Sequence, residues 1–398
     1  MVIMRNHHCD AFIVGAGPAG LAAAIALRLR GADVLVADAR RSPVDKPCGE
    51  GLMPEASRAL AALGVAIGES GIPFTGITFA SADARVCAEF PGGSGIGLRR
   101  TVLHQALCER AAALGVRFSF DTPVVFTQGQ NPSIAGQQVA ARWIIGADGA
   151  SSRTRVWARL DSGRIRSRRF GFRAHFRLAP GVAPPGHVEV HWGPLGQAYI
   201  TPTAPGEICV SAMTRNPAVR LRHVLDRLPS LREMISGAEP ISSERGCPTL
   251  TRRLRRVTRG NVALIGDASG SVDAITGEGL ALAFRQSLLL AESRDAGSLE
   301  LYASHHHALL ALPRRMASLL LLLDRQPRLC ARTLRAFADN PPLFRALLAV
   351  HVQEASLSRF LLNQGPALAA GILAAKRSTV SKELLFRKTE SPLQGASD

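Results

Sequence analysis

The chain has 398 residues, is 46% hydrophobic and carries 37 glycines, enough to bury a large core in two intimately joined domains. Its formal charge of +17 is almost all arginine, because Lys46, Lys376, Lys382 and Lys388 are the only lysines, and the densest runs, Arg164–Arg177 and Arg252–Arg259, are expected to be solvated basic surface and not a nucleic-acid site. Seven scattered cysteines with no CxxC or Cys/His spacing exclude a zinc site or a disulfide framework and fit a reducing cytoplasm. No metal site is therefore expected, and a basic surface would serve to attract an anionic cofactor.

Met1–Asp10 is short and polar and leaves no room for a signal peptide before the first strand. That strand, the apolar run Ala11–Val14, leads into Gly15-Ala16-Gly17-Pro18-Ala19-Gly20 and the alanine-rich helix Leu21–Arg30. A strand that turns at glycines into a helix aims backbone N–H groups and the helix N-terminus at a pyrophosphate. Ala32–Ala37 gives a second strand. Asp38 follows it, eighteen residues past Gly20, where an acid can take both hydroxyls of an adenosine ribose. The expectation is a dinucleotide site.

Lys46-Pro47-Cys48-Gly49-Glu50-Gly51-Leu52-Met53-Pro54 comes next, then the amphipathic helix Ala56–Leu63 and strands within Ile72–Phe90. Arg100 opens a second amphipathic helix, Thr101–Leu114, and Val116–Phe120 and Pro123–Phe126 read as strands before a polar hairpin tip at Gln128–Gly136. Trp143–Ile145 runs into Gly146-Ala147-Asp148-Gly149, and Asn261–Ile265 runs into Gly266-Asp267-Ala268. Between them, from about Arg166 to Val210, short alternating stretches separated by Pro/Gly turns predict an antiparallel sheet with one face covered. Thr276-Gly277-Glu278-Gly279 enters the helix Leu280–Glu292. His305-His306-His307 point in different directions on a helix and so predict a solvated surface, not one chelate. Beyond Leu299 the chain reads as helices around Met316–Leu323, Leu343–Val352 and Phe360–Leu373, with Pro341-Pro342 separating two of them and Ser378–Asp398 frayed. The apolar run Leu319–Leu323 is far short of the ~20 residues of a membrane span, although such leucine-rich helices allow a peripheral membrane contact.

The three glycine-acid segments, in this order, resemble the FAD-dependent aromatic hydroxylases (group A flavoprotein monooxygenases) and the related geranylgeranyl reductases. The resemblance covers residues 8–60, 96–156 and 245–292 well. It implies an α/β fold: a Rossmann-like FAD-binding domain over 1–75, 97–160 and 245–295, an antiparallel-sheet substrate domain over 76–96 and 161–244, and C-terminal helices over 296–398. It places FAD against Gly15, Gly17, Ala19 and Gly20, against Asp38, Ala39 and Arg40, and beside Val124. It likewise implies that Arg100 faces the phosphates, that Asp148 and Gly149 lie along the flavin and pyrophosphate, and that Gly266 and Asp267 hold the ribityl chain. Gly277, Gly279 and Leu280 would bring backbone N–H groups and a helix N-terminus to the flavin ring, favouring its reduced, negatively charged edge.

Cys48 and Gly49 fall where the chain of such proteins passes over the flavin, which makes Cys48 the candidate catalytic residue. The motif is similar to the cysteine-glycine motif of geranylgeranyl reductases, with Glu50 where their second glycine stands. Flavin halogenases share part of it, but no lysine occurs between Lys46 and Lys376 and their Trp-x-Trp-x-Ile-Pro motif is missing. The resemblance implies an NADPH- or NADH-driven oxidoreductase acting on a hydrophobic small molecule. A hydroxylase of a phenolic or polyketide-like ring is the first expectation and an isoprenoid-saturating reductase the second. The reductases' Tyr-x-Trp-x-Phe-Pro strand is replaced here by Tyr199-Ile200-Thr201-Pro202. A FAD-binding protein without turnover is the third. No second dinucleotide-binding unit is visible, so the nicotinamide would dock transiently, and Phe170, Phe172, Phe176, Trp192 and Tyr199 are expected to line the substrate pocket.

Overall fold

The structure is a computed structural model, and it describes residues 7–375; the segment Ser378–Asp398 read as frayed lies outside the described residues. Five strands form a parallel sheet in the order Val262–Leu264, Gln137–Gly146, His7–Val14, Val34–Ala37, Arg117–Ser119. All four residues of Val34–Ala37 and the last four of His7–Val14 are buried, the pattern of strands covered on both faces. The helix Pro18–Leu29 packs on this sheet and against the long helix Gly279–Asp295. Strand order reverses between His7–Val14 and its neighbour Gln137–Gly146, so the crevice at their C-terminal ends is where such a sheet binds ligands.

A second, nine-stranded sheet carries Arg164–Arg177, His187–Gly193, Gly196–Ala204 and Glu207–Thr214. It is antiparallel, as the alternation predicts, except that Gly76–Ala80 runs parallel to His187–Gly193. Arg245–Arg253 pairs along Arg164–Arg177 in the same sheet. The expected strands within Ile72–Phe90 divide: Gly76–Ala80 and Arg85–Glu89 join the large sheet. Ile72–Phe74 instead enters a three-stranded sheet with Gly95–Gly97 and Gly51–Leu52. That small sheet seats the segment after Cys48 between the two larger sheets.

Pro123–Phe126 forms no strand. Asp121 has φ +54°, Pro123 has no N–H, and only Val125 pairs, with Ser133, while Thr122 donates to the Asp38 carbonyl at 3.0 Å. Helices Glu300–Leu309, Ala311–Arg325, Pro327–Asp339, Pro341–His351, Leu357–Asn363 and Gly365–Ala374 close the described chain. None of the described helices is long and apolar enough to cross a membrane.

The histidine triplet is not a solvated surface. His305 is exposed, but His306 is fully buried and its Nε2 meets Ser269 Oγ at 3.0 Å, tying this helix to the Gly266–Ser269 turn. Burial pushes its pKa down to about 3, so it is neutral there.

Candidate active site

The glycine turn is built by close backbone approach. Gly15 has φ +106°, and a Cβ on it would stand 2.6 Å from the Ala147 carbonyl oxygen; one on Gly20 would stand 1.9 Å from the Gly15 oxygen. This brings Gly15–Gly20 against Gly146–Gly149, joining the first two sequence motifs. The third joins them because Ala19 lies beside Gly266 and accepts a hydrogen bond from Ser287 of the Gly279–Asp295 helix at 3.1 Å. Asp38 accepts from Ala16 N at 2.8 Å and from Arg40 N at 2.9 Å, which fixes its carboxylate at the head of the turn. Ala39 and Arg40 are exposed beside it, whereas the Val124 side chain is buried in the core of the parallel-sheet half.

Asp148 caps the next helix: its Oδ2 accepts from Arg153 N at 2.8 Å and Thr154 N at 3.0 Å, while its Oδ1 is buried without a partner. Asp267 is exposed just beyond the C-terminal end of Val262–Leu264, at the end of the parallel sheet where its crevice opens. The protein around it raises its carboxyl pKa, and Lys46 and Arg100 draw it back down. Lys46 reaches across to within 3.8 Å of the position a Cβ on Gly149 would take. Arg100 is buried, with a lowered pKa from desolvation and its Nε unpartnered.

These features fit FAD. Asp148 and Arg100 each keep a buried polar atom unpaired, and a Cβ on Gly17 or on Gly279 would meet nothing within 4 Å. Gly277 holds φ +70° and Gly279 opens the long helix. Leu280 follows, partly buried against the core.

The Cys48 loop lies over the large sheet. Cys48 Sγ accepts from Glu50 N at 3.4 Å, the Cys209 thiol donates to the Cys48 carbonyl at 3.7 Å, and Gly49 lies near Ser211 of the strand Glu207–Thr214. Burial raises the Cys48 thiol pKa, partly offset by the positive charge of Arg100, so the sulfur stays protonated.

Glu50 is the residue the motif reading passed over. It stands at φ +60°, where glycine is favoured, and is almost wholly buried. Its Oε1 accepts from Arg100 N at 3.0 Å, and its Oε2 meets His175 Nε2 at 2.6 Å. His175 Nδ1 lies 3.1 Å from Arg173 Nη1, a group that can only donate, so Nδ1 accepts and Nε2 carries the proton given to Glu50. Arg173 in turn holds Asp45 at 2.5 Å. Glu50, His175 and Cys209 bring their ligand atoms within 4.8 Å of one another. The adjoining Arg173 guanidinium repels a cation, so the cluster is an ion-paired network.

The aromatics expected in one pocket divide between the faces of the sheet. Phe170, Phe172 and Phe176 pack into a core under the helices Leu221–Leu225 and Pro229–Met234. The intervening Arg169, Arg173 and His175 face the site. Trp192 and Tyr199 do reach the apolar layer that holds Met53 and Ile275.

The fold and groove define a FAD-dependent oxidoreductase. Residues 8–293 match the FAD binding domain family, and the chain belongs to that family. Over 355 residues it is 30% identical to the menaquinone reductase of Mycolicibacterium smegmatis, covering 80% of this chain and 86% of that protein. It is 26% identical over 303 residues to the digeranylgeranylglycerophospholipid reductase of Methanosarcina acetivorans, covering 68% and 71%. Its fold is similar to the crystal structure of a flavoprotein/dehydrogenase from Cytophaga hutchinsonii, with TM-score 0.76, 18% identity, and 92% and 99% of the two chains covered.

Proposed function

We propose that this oxidoreductase saturates a carbon–carbon double bond in an isoprenoid chain, with NADPH or NADH as the reductant. The observation that carries this reading is the Cys48 loop, packed on the large sheet within reach of the Arg100 charge and holding a protonated thiol. Support comes from the similarity, over most of the chain, to two proteins named as reductases of menaquinone and of a digeranylgeranyl lipid.

In this proposal FAD is held by Gly15–Gly20, Asp38–Arg40, Val124, Arg100, Asp148, Gly149, Gly266, Asp267 and the Gly277–Leu280 loop, with Cys48 and Gly49 over it. Lys46 adds a cation for the pyrophosphate. When bound, FAD would supply hydride chemistry, with the nicotinamide as its source of electrons. Saturating a double bond also needs one proton, and in this reading Cys48 Sγ–H gives it to the second carbon. The Glu50 N–H on the sulfur and the positive charge of Arg100 stabilise the thiolate left behind until solvent returns the proton. The apolar layer of Met53, Ile275, Tyr199 and Trp192 accepts the hydrocarbon chain.

A second reading, hydroxylation of a phenolic ring with O2, is favoured by the buried polar face of Arg173, His175 and Glu50, which could receive a phenolic oxygen. One experiment separates the two. Following NADPH, peroxide and product together in Cys48→Ala, a reductase loses substrate reduction far more than NADPH-driven flavin reduction. A hydroxylase instead releases more peroxide per NADPH. Unchanged rates for all three would remove Cys48 from the chemistry and with it the main support for the reductase.

A further inference from the structure

Apolar side chains are left uncovered on the C-terminal helices. Helix Gly365–Ala374, GPALAAGILA, has no polar side chain and no buried residue. Leu373 is 79% exposed, and Leu361 and Leu362 on the preceding helix, Leu357–Asn363, are 57% and 78% exposed. On its inner side Gly371 lies against Ala336 of Pro327–Asp339. Leu368 and Phe360 pack into the same apolar layer as Leu334 and Phe337, and that layer continues to Met53 and Ile275. One continuous body of apolar side chains therefore joins the uncovered helices to the candidate site.

Charge around the patch is predominantly basic. Over residues 326–375 five arginines stand against two acids, Asp339 and Glu354, and Lys376-Arg377 follow directly in the sequence. Glu354 is already paired with Arg58 at 2.8 Å. Arg328, Arg345 and Arg359 are exposed. A specific protein interface relies on aromatic or arginine anchors at its centre and on directional hydrogen bonds. A helix of Gly, Pro, Ala, Leu and Ile offers neither. A lipid interface asks only for apolar area with a basic surround.

We propose that the helix pair Leu357–Asn363 and Gly365–Ala374 lies on the surface of an anionic lipid bilayer, so that a lipid-dissolved substrate reaches the site through the apolar layer behind it. The substrate half of this statement rests on the isoprenoid reading; the bilayer contact does not.

The test is flotation of the full-length, FAD-loaded protein with vesicles of phosphatidylcholine alone and of phosphatidylcholine mixed with phosphatidylglycerol. We expect association with the mixed vesicles that weakens with salt. It should fall about tenfold or more in the double variant Leu362→Glu/Leu373→Glu, which removes two leucines from the interface. FAD content and circular dichroism should not change, because both side chains are exposed. The proposal is overturned if the wild type floats with neither vesicle, or if the variant floats equally well. It is also overturned if the variant only turns a dimer into a monomer, which makes a second copy the occupant. Association that appears only after removal of residues 376–398 overturns it too, making that segment the cover. Normal reduction of a detergent-dispersed isoprenoid alongside failed flotation would sink the bilayer contact and leave the reductase reading standing. Flotation without any such reduction would do the reverse.

Discussion

Replacing Glu50 sets backbone strain directly against side-chain bonding. At φ +60° a residue with a Cβ costs about 1–2 kcal/mol that glycine does not. On backbone grounds alone Glu50→Gly should stabilise the protein and would restore the glycine of the resembled motif. Against that stand two buried charge-assisted hydrogen bonds, from Arg100 N at 3.0 Å and His175 Nε2 at 2.6 Å, each worth about 1.5–3 kcal/mol. Arg173 keeps Asp45, so no cation is left bare. The bonds outweigh the strain, and the expected net loss is about 2–4 kcal/mol. Urea unfolding followed by far-ultraviolet circular dichroism measures it. Glu50→Gly as stable as the wild type, or more so, would refute the reasoning. Glu50→Gln is the companion variant. Since His175 Nε2 and Arg100 N both donate, a glutamine amide can satisfy only one of them. It keeps the strain as well, so it should lose about 1.5–3 kcal/mol.

Gly279→Val should fold with an unchanged circular dichroism spectrum, because a Cβ there meets no protein atom within 4 Å, yet retain little FAD and oxidise almost no NAD(P)H; a yellow, active variant would show the loop to be remote from the flavin. Asp38→Ala should weaken FAD tens-fold or more in a fluorescence titration, through lost ribose bonds and the freed Ala16 and Arg40 amides. If both Asp38→Ala and Asp267→Ala keep FAD as the wild type does, the groove is misassigned. Glu278 is buried, and desolvation lifts its carboxyl from 4.5 to about 8. The folded state then holds a proton that the unfolded state has released, so stability should fall as pH rises from about 4.5 to about 8 and level off above, by a limit on the order of 5 kcal/mol. Glu278→Gln should flatten that slope in pH-dependent urea unfolding, and an unaltered slope would assign it to other groups.

The parallel-sheet half was legible because its signals are local. Gly15 and Gly20 are needed for backbone contacts that no other residue permits, and Asp38 sits at a strand end whose position follows from the glycines. The large sheet was legible as alternation, but not as to which face does what. In Arg164–Arg177 the phenylalanines drew attention, while Arg169, Arg173 and His175 on the opposite face are the residues aimed at the site. Burial of a charged residue depends on partners such as Asp45, Glu50 and Asp273, which lie over a hundred residues away. The run Arg164–Arg177 looked like a solvated basic surface for the same reason. Arg245–Arg253 was missed as a strand because its arginines and Pro248 hide the alternation, and it is held by pairing with Arg164–Arg177. His306 could have been found: Tyr302, His306 and Leu310 at four-residue spacing mark a buried stripe, and all three are buried.

Arg169 shows how the separate parts of the site are held in one position. It is fully buried in the large sheet, and its Nη1 meets Asp273 Oδ1 at 3.1 Å. Asp273 caps the turn Ala274–Thr276 that leads to Gly277 and Gly279, accepting from Ile275 N at 3.1 Å. Through its other nitrogen Arg169 donates to Gln197, which donates to Asp324 of the C-terminal helix Ala311–Arg325. The sheet, the Ala274–Gly279 turn and the C-terminal helix thus meet at one guanidinium. Removing water from such a group costs several kcal/mol, and apolar side chains of the same volume would pack there at no such cost. Apolar contacts, however, let a helix slide by a fraction of a turn, whereas a planar guanidinium bonded to acceptors on different elements tolerates little displacement. The arrangement therefore adds little to stability and much to position. It holds the backbone of the Gly277–Gly279 loop in register with the helices that cover the apolar layer, so the loop on one side and the apolar layer on the other are set by the same side chain.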